Sequence, residues 1–339
     1  MPVFDLHSLA SVPRLLLEAH LAPIQGDRFQ PAGFPDLGPA TYTLPDGTDM
    51  LLVESTQSMA NLAEAACWDE SQSTLVSVLA GLPYVHVDVV DGETVLTTTA
   101  SVLEAHRLNS PYVLQGMIDD RTFQDLLLEQ AEYHAGRPVD RERFLGAVLK
   151  FDPACLLHGL FMSYVEDARM RLPRAMSAFV EARDVRVAQS GGVKNDRINP
   201  SGKTEEGFGN VPFARTEFTA GSITAFFNLD LRQLWAYGLP REAAELLELL
   251  ALYKFFKLTR DGLRRRTACD LETKGVTVRA PEGLALPPFE VLEQMLPAAI
   301  AACKPYFADP PVTRLRFQQT AASAKSSKKA TRAAKETAS

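Results

Sequence analysis

AMSAFVEARDVRVAQ (175–189) and TEFTAGSITAFFNLDL (216–231) are the two most strand-like passages of the chain, and SGGVKNDRINPSGKTEEGFGNVPF (190–213) separates them. The flanks are β-branched and aromatic, as residues of a pleated, half-buried surface are. The middle is dense in Gly, Pro, Asn and charge, the composition of a loop. Connections beyond about 12 to 15 residues are usually functional or disordered. Residues 190–213 are therefore expected to project as an arm between two core strands.

The same reading extends outward. RLLLEAHL (14–21), between Pro13 and Pro23, reads as a buried strand. The Gly- and Pro-rich loop 25–38 then places Arg28 just past its end. Residues 48–54 read as a second strand and 55–66 as a short helix with Ser55 at its N-cap. Residues 84–99 alternate around Asp91-Gly92, the signature of a hairpin. Helices are expected over 120–133 and 140–149, and a clear one after Pro240, with acidic residues early and Lys254 and Lys257 late. Residues 262–278 return to strand, and a helix over 288–303 should be interrupted at Pro297. The sum is an α+β chain, with a disordered Ala/Ser/Lys tail at 321–339.

With 339 residues, 46% hydrophobic and 23% charged, the chain can bury a full core. Its four scattered cysteines give no CxxC pair and are expected to be reduced and buried. No basic leader and no long uncharged apolar run is present, so a cytoplasmic protein with no membrane partner is expected. The net charge is −7, yet residues 169–215 carry +4 and residues 260–279 carry +3. Such polarisation suits a local basic surface on an acidic body, because a polyanion responds to the nearby field.

Familiar chemical motifs fail on inspection. SGKT (201–204) lacks the first glycine of a phosphate loop, since position 197 is Arg197. EGFGNVPF (206–213) imitates the RNA-binding strand of an RNA-recognition motif, but Asn210 replaces a stacking aromatic and Pro212 would break a central strand. No HExxH or GxSxG occurs. His106 reads as structural, and Asp230 stands without a second carboxylate on its strand face. The arginines hold more promise. Arg169, Arg171 and Arg174 surround Leu172-Pro173, and Arg264, Arg265 and Arg266 are consecutive, so at least one must be exposed on a strand. Planar guanidinium forks match phosphate oxygens well.

Seven separated blocks, RLLLEAHLAPIQGDRFQPAGFPDLG, MLLVESTQSMANLAE, SVLEAHRLNSPYVL, RLPRAMSAFVEARDV, SGGVKNDR, GNVPFARTEFTAGSITAFFNLDL and GLRRRTACDLE, together resemble the backbone RAMP subunit of type I-G (formerly I-U) CRISPR effector complexes. The resemblance spans residues 14–272. It implies a modified ferredoxin-like, RRM-like palm with helical insertions: a single domain over 1–320, an insertion at about 55–165 and a thumb-like arm at 190–213. Copies would assemble as a helical filament along a CRISPR RNA, beside the large subunit and a fused cap and processing subunit. A target DNA strand would be met through guide pairing. No catalysis and no cofactor are implied for this subunit.

Sequence-independent binding of that kind uses phosphate and sugar contacts rather than base edges. The RNA-binding set drawn from the matching blocks is Gln25, Arg28, Arg107, Asn109, Arg169, Arg171, Arg174, Lys194, Arg197 and Arg215, with Arg264 and Arg266 in reserve. Two other readings compete. One is a metal-dependent RNase of the same RAMP group using carboxylates such as Asp230 or Asp196; the other is a protein scaffold without nucleic acid.

Overall fold

The computed structural model describes residues 9, 11–34, 37–134, 136–163 and 171–319. The apolar run before Pro23 is the strand Arg14–Pro23 (β1), with Leu15, Leu17, Ala19 and Leu21 buried at every second position. Gly38–Thr43 (β2) and Asp49–Glu54 (β3) follow. Helix Thr56–Ala65 (α1) starts where the Ser55 side chain accepts the Ser58 N–H. The hairpin at Asp91-Gly92 is Tyr84–Asp91 (β4) with Thr94–Ala100 (β5). Helix 120–133 contracts to Phe123–Gln130 (α2), because Thr122 and Asp125 close a capping box there. Asp140 caps Arg141–Phe151 (α3).

Both strand-like passages break in two. The first divides into Met176–Arg183 (β6) and Arg186–Lys194 (β7), turning at Asp184 with φ 56°. The second divides into Val211–Thr219 (β8) and Ser222–Asp230 (β9). The expectation of loop throughout 190–213 is thereby corrected. The arm is an antiparallel ribbon of β7 and β8, in register from Arg186 against Thr219 to Lys194 against Val211, with only 195–210 outside it. The reason lies in the glycines. A Cβ on Gly191 would meet the Phe213 carbonyl oxygen at 2.4 Å, and one on Gly192 would meet the Phe213 ring at 3.0 Å. Residues that look like turn punctuation mark instead a close approach of two strands.

Arg241–Arg260 (α4), Leu263–Arg266 (β10), Cys269–Ala280 (β11), Phe289–Cys303 (α5) and Val312–Gln318 (β12) complete the order. Helix α5 runs through Pro297 without the expected interruption. A proline removes one ladder hydrogen bond; α5 packs on α4 and buries Leu292, Leu296, Ile300 and Cys303 on both sides of it.

The main sheet has eight strands in the order β10, β11, β1, β9, β6, β3, β2 and the short Gly33–Phe34. Every pairing in it is antiparallel, so β1 and β6 run parallel to each other on either side of β9. Helix α1 packs on β6 and α4, and Phe227 of β9 meets Phe255 of α4 edge-on at 4.6 Å. A second, five-stranded sheet seats β12 between β4 and Met117–Ile118. The chain is α+β, as expected. Its four cysteines are free and buried, and among the described residues no helix is long and apolar enough to cross a membrane. The 321–339 tail lies outside the described residues.

Candidate nucleic-acid interface

The short helix Ala154–His158 ends at Gly159, whose φ of 82° turns the chain into Leu160–Phe161. Only glycine suits this corner, because a Cβ there would meet the Leu172 carbonyl oxygen at 2.9 Å. Leu160 and Phe161 pair with Leu172 and Arg171. Ala175 then donates to the Leu157 carbonyl, and Tyr237 Oη donates to that of Leu156 at 3.0 Å. These bonds fix the chain that carries Arg171 and Arg174 into β6. Together with residues 105–109 it encloses a cleft of about 690 Å³.

Four members of the sequence-derived set, Arg107, Asn109, Arg171 and Arg174, line this one cleft. Arg171 is exposed, its guanidinium 4.2 Å from the centre of the Phe161 ring. Arg174 is half-buried and donates to the Gln57 side-chain carbonyl. Burial, and then the positive charge of Arg107, lower its pKa. Among the described residues neither Arg171 nor Arg174 has a carboxylate partner. Arg107 differs. It lies buried at φ 52° with its fork on Glu64, at 2.6 and 2.7 Å, and so acts as a wall of the cleft. Asn109, 3% exposed, donates from Nδ2 to Ser163 Oγ at 2.9 Å while its Oδ1 has no partner among the described residues. His106 is exposed and lines the same cleft.

Beneath the cleft lies a charged layer that the sequence did not disclose. Burial, and then the charge of Lys254, hold His158 well below the usual histidine pKa. The neutral ring therefore accepts from Lys254 Nζ at Nε2, 2.8 Å away, and its Nδ1 has no partner. Burial pushes the Asp152 carboxyl up to about 6, with Glu64 adding to the rise and the Ser101 hydrogen bond opposing it.

The other cations gather elsewhere. At the far end of the sheet, a bay of about 440 Å³ holds Gln25, Arg28 and Arg264. The eight residues of β6 run between the two ends, about 23 Å at strand rise. Here the arginines are engaged: Arg28 with Glu217 at 3.5 Å, Arg264 with Asp270 at 3.9 Å. Arg266 holds the buried Glu54 at 2.8 Å and the Gln30 carbonyl at 3.2 Å. Arg265 occupies a bulge between Arg264 and Arg266, with Nε and Nη1 buried and unpartnered. The RNA-binding set left it out. Lys194, Arg197 and Arg215 lie exposed on the arm, with Arg215 4.9 Å from the Phe213 ring centre. Arg169 lies outside the described residues.

The carboxylates considered for metal chemistry hold structure here. Asp230 caps a short helix through the Gln233 N–H and pairs with Arg14 at 3.0 Å. Asp196 gathers the N–H groups of Ile198, Asn199 and Gly209 at the arm tip, and these bonds lower its pKa. The Asn210 side chain accepts the Asp196 N–H in the same knot.

The sequence profile of the family described as CRISPR-associated protein GSU0053 matches residues 15–187, just over half of the chain. The chain belongs to this family. No curated protein matches it. Among solved structures, a chain of a "CRISPR RNA-guided surveillance complex, pre-nicking" aligns at 12% identity and TM-score 0.38, covering 76% of each chain. Csc2 from Thermofilum pendens aligns at 11% identity and TM-score 0.29, covering 88% of this chain and 80% of its own. The matched region of this CRISPR-associated family member carries the lining of the cleft from Ala105 through Arg174 and ends at the root of the arm.

Proposed function

We propose that this CRISPR-associated protein is the repeated backbone subunit of a type I-G surveillance (Cascade) complex in antiviral defence, binding CRISPR RNA through its phosphates and sugars. The observation that carries the reading is the cleft: two guanidinium groups, Arg171 and Arg174, with no carboxylate partner among the described residues, on a chain of acidic net charge. Unneutralised forks on a rim suit a phosphate backbone. The antiparallel order β11, β1, β9, β6, with α1 and α4 on one face, supports a ferredoxin-like, RRM-like palm. The ribbon with Lys194, Arg197 and Arg215 would be its thumb.

In this reading copies join head to tail through two different surfaces, as an open helical filament requires. The large subunit and the fused cap and processing subunit bound the filament, and the target DNA strand is met through the guide's exposed bases. The subunit itself catalyses nothing and works in the cytoplasm. The test is co-expression with a repeat-spacer transcript and its processing subunit, followed by a denaturing gel of the co-purified nucleic acid. A discrete RNA of guide length that survives a moderate-salt wash is expected; nucleic-acid-free protein from the complete complex would overturn the reading.

A further inference from the structure

We infer that the groove beside the start of β12 takes an extended acidic peptide of a partner protein by strand addition, with every second side chain of the peptide, an apolar one, entering the groove. The inference uses none of the cleft residues and does not rest on the guide-binding reading.

Three observations carry it. First, the start of β12 is paired on one side only. The strand runs parallel to β4 along its whole length, from Val312 against Tyr84 to Gln318 against Val90, whereas on its other side it meets a strand at a single position, Arg316 against Met117. The Tyr84 N–H donates to the Pro311 carbonyl, and backbone groups of successive residues alternate in direction along a strand. The N–H and C=O of Val312 and Arg314 therefore point away from β4, along an edge that no described strand covers. An open edge is a template for another strand, and extended peptides that add to one gain affinity from main-chain hydrogen bonds.

Second, this edge borders an apolar groove. Val312, Thr313 and Arg314 line a space of about 510 Å³ together with Ile118, Leu126 of α2 and Phe151 of α3. Arg316 and Met117 are directly opposite and share a sheet face, so Ile118 lies on the other face with the buried Thr313 and Leu315. An added strand thus turns alternate side chains toward the apolar lining and the residues between them toward the face of Arg314.

Third, the charges select an acidic strand. Arg314 is exposed, and Lys150, which donates to the Gln130 side-chain carbonyl at 2.6 Å, lines the same groove. Neither has a carboxylate partner among the described residues, and Asp309 is the one carboxylate of the lining. The chain's own C-terminal segment, which follows β12, has five basic residues against one acidic after Ser323 and so carries the wrong sign.

The experiment uses the full chain and short fluorescein-labelled peptides: one alternating valine and glutamate, one alternating valine and lysine, and the first with alternate backbone amides N-methylated in either phase. Fluorescence anisotropy should show the valine/glutamate peptide binding at least about tenfold more tightly than the valine/lysine one. N-methylation in one phase should weaken binding about tenfold and in the other hardly at all, because only one set of amides faces the edge. Arg314→Glu, at an exposed position, should reverse the preference between the two charges. Bound peptide should slow hydrogen exchange at the Val312 and Arg314 amides about tenfold or more, a readout that leaves the protein unaltered. No binding of the valine/glutamate peptide below about 1 mM, equal binding of both charges, or equal tolerance of both methylation phases would overturn the inference. Self-association of the protein alone, abolished by Arg314→Glu in sedimentation, would make a second copy the occupant and overturn the partner peptide. Guide binding stands in every one of these cases.

Discussion

The cleft at the start of β6 and the bay at its far end are both rich in arginine, and they differ in what the arginines already hold. Arg28, Arg264 and Arg266 in and beside the bay each have a carboxylate. Arg171 and Arg174 in the cleft have none among the described residues, and the one cleft arginine that does, Arg107, is buried with it. Counting basic residues cannot separate the two regions. A guanidinium already facing a carboxylate brings little net field to a passing phosphate, whereas one without a counter-ion brings all of it.

The largest effect separates a buried pair from an exposed one. Glu64→Ala leaves Arg107 charged and buried without its partner and should cost about 3–5 kcal/mol of stability in chemical denaturation. Asp270→Ala, which releases the exposed Arg264, should cost less than about 1 kcal/mol. Comparable losses would erase the distinction between wall and surface.

Next comes the charged layer under the cleft. Asp152 titrates at about 6 in the fold, against 3.8 ordinarily. Between those values the folded state holds the extra proton, so stability falls as pH rises through the window. The fall attributable to Asp152 is roughly 3 kcal/mol, and Asp152→Asn should flatten it in denaturant titrations from pH 4 to 7. An unchanged slope would show that Asp152 does not titrate there.

Binding should then divide along the same line. Charge reversal at Arg171 and Arg174 should weaken guide retention on the order of a hundredfold while leaving the melting temperature within a few degrees. The same reversal at Arg28 and Arg264 should cost far less, and equal losses would break the comparison. Smallest is the arm, where Arg215→Ala should lower the salt slope of single-strand binding by about 0.7 if it touches one phosphate.

Much of the fold was legible because local chemistry and tertiary role agree in it. Strand β1 alternates between two prolines, Asp91-Gly92 turns the hairpin, and Ser55 and Asp140 cap their helices. The arm was legible as an excursion but not as a ribbon, because the need for Gly191 and Gly192 arises only from Phe213, more than twenty residues away. Pro297 misled for the same reason: packing on α4 outweighs one lost hydrogen bond. Of the site, the arginines around Leu172-Pro173 were readable from type and spacing. The contacts of Arg171 with Phe161 and of His158 with Lys254 were not, since they depend on how distant elements pack. Arg107 was legible as important but not as buried, because Glu64 lies 43 residues earlier.

The central claim is that Arg171 and Arg174 of the cleft, which have no carboxylate partner among the described residues, and not the paired arginines of the bay, meet the RNA backbone. The most direct measurement is the salt dependence of single-stranded RNA binding by the wild type, by Arg171→Ala with Arg174→Ala, and by Arg28→Ala with Arg264→Ala. If the two cleft residues each touch a phosphate, their removal lowers the slope of log K against log salt by about 1.4, while removal of the bay pair changes it by much less. A slope that stays fixed for the cleft pair and falls for the bay pair would contradict the account.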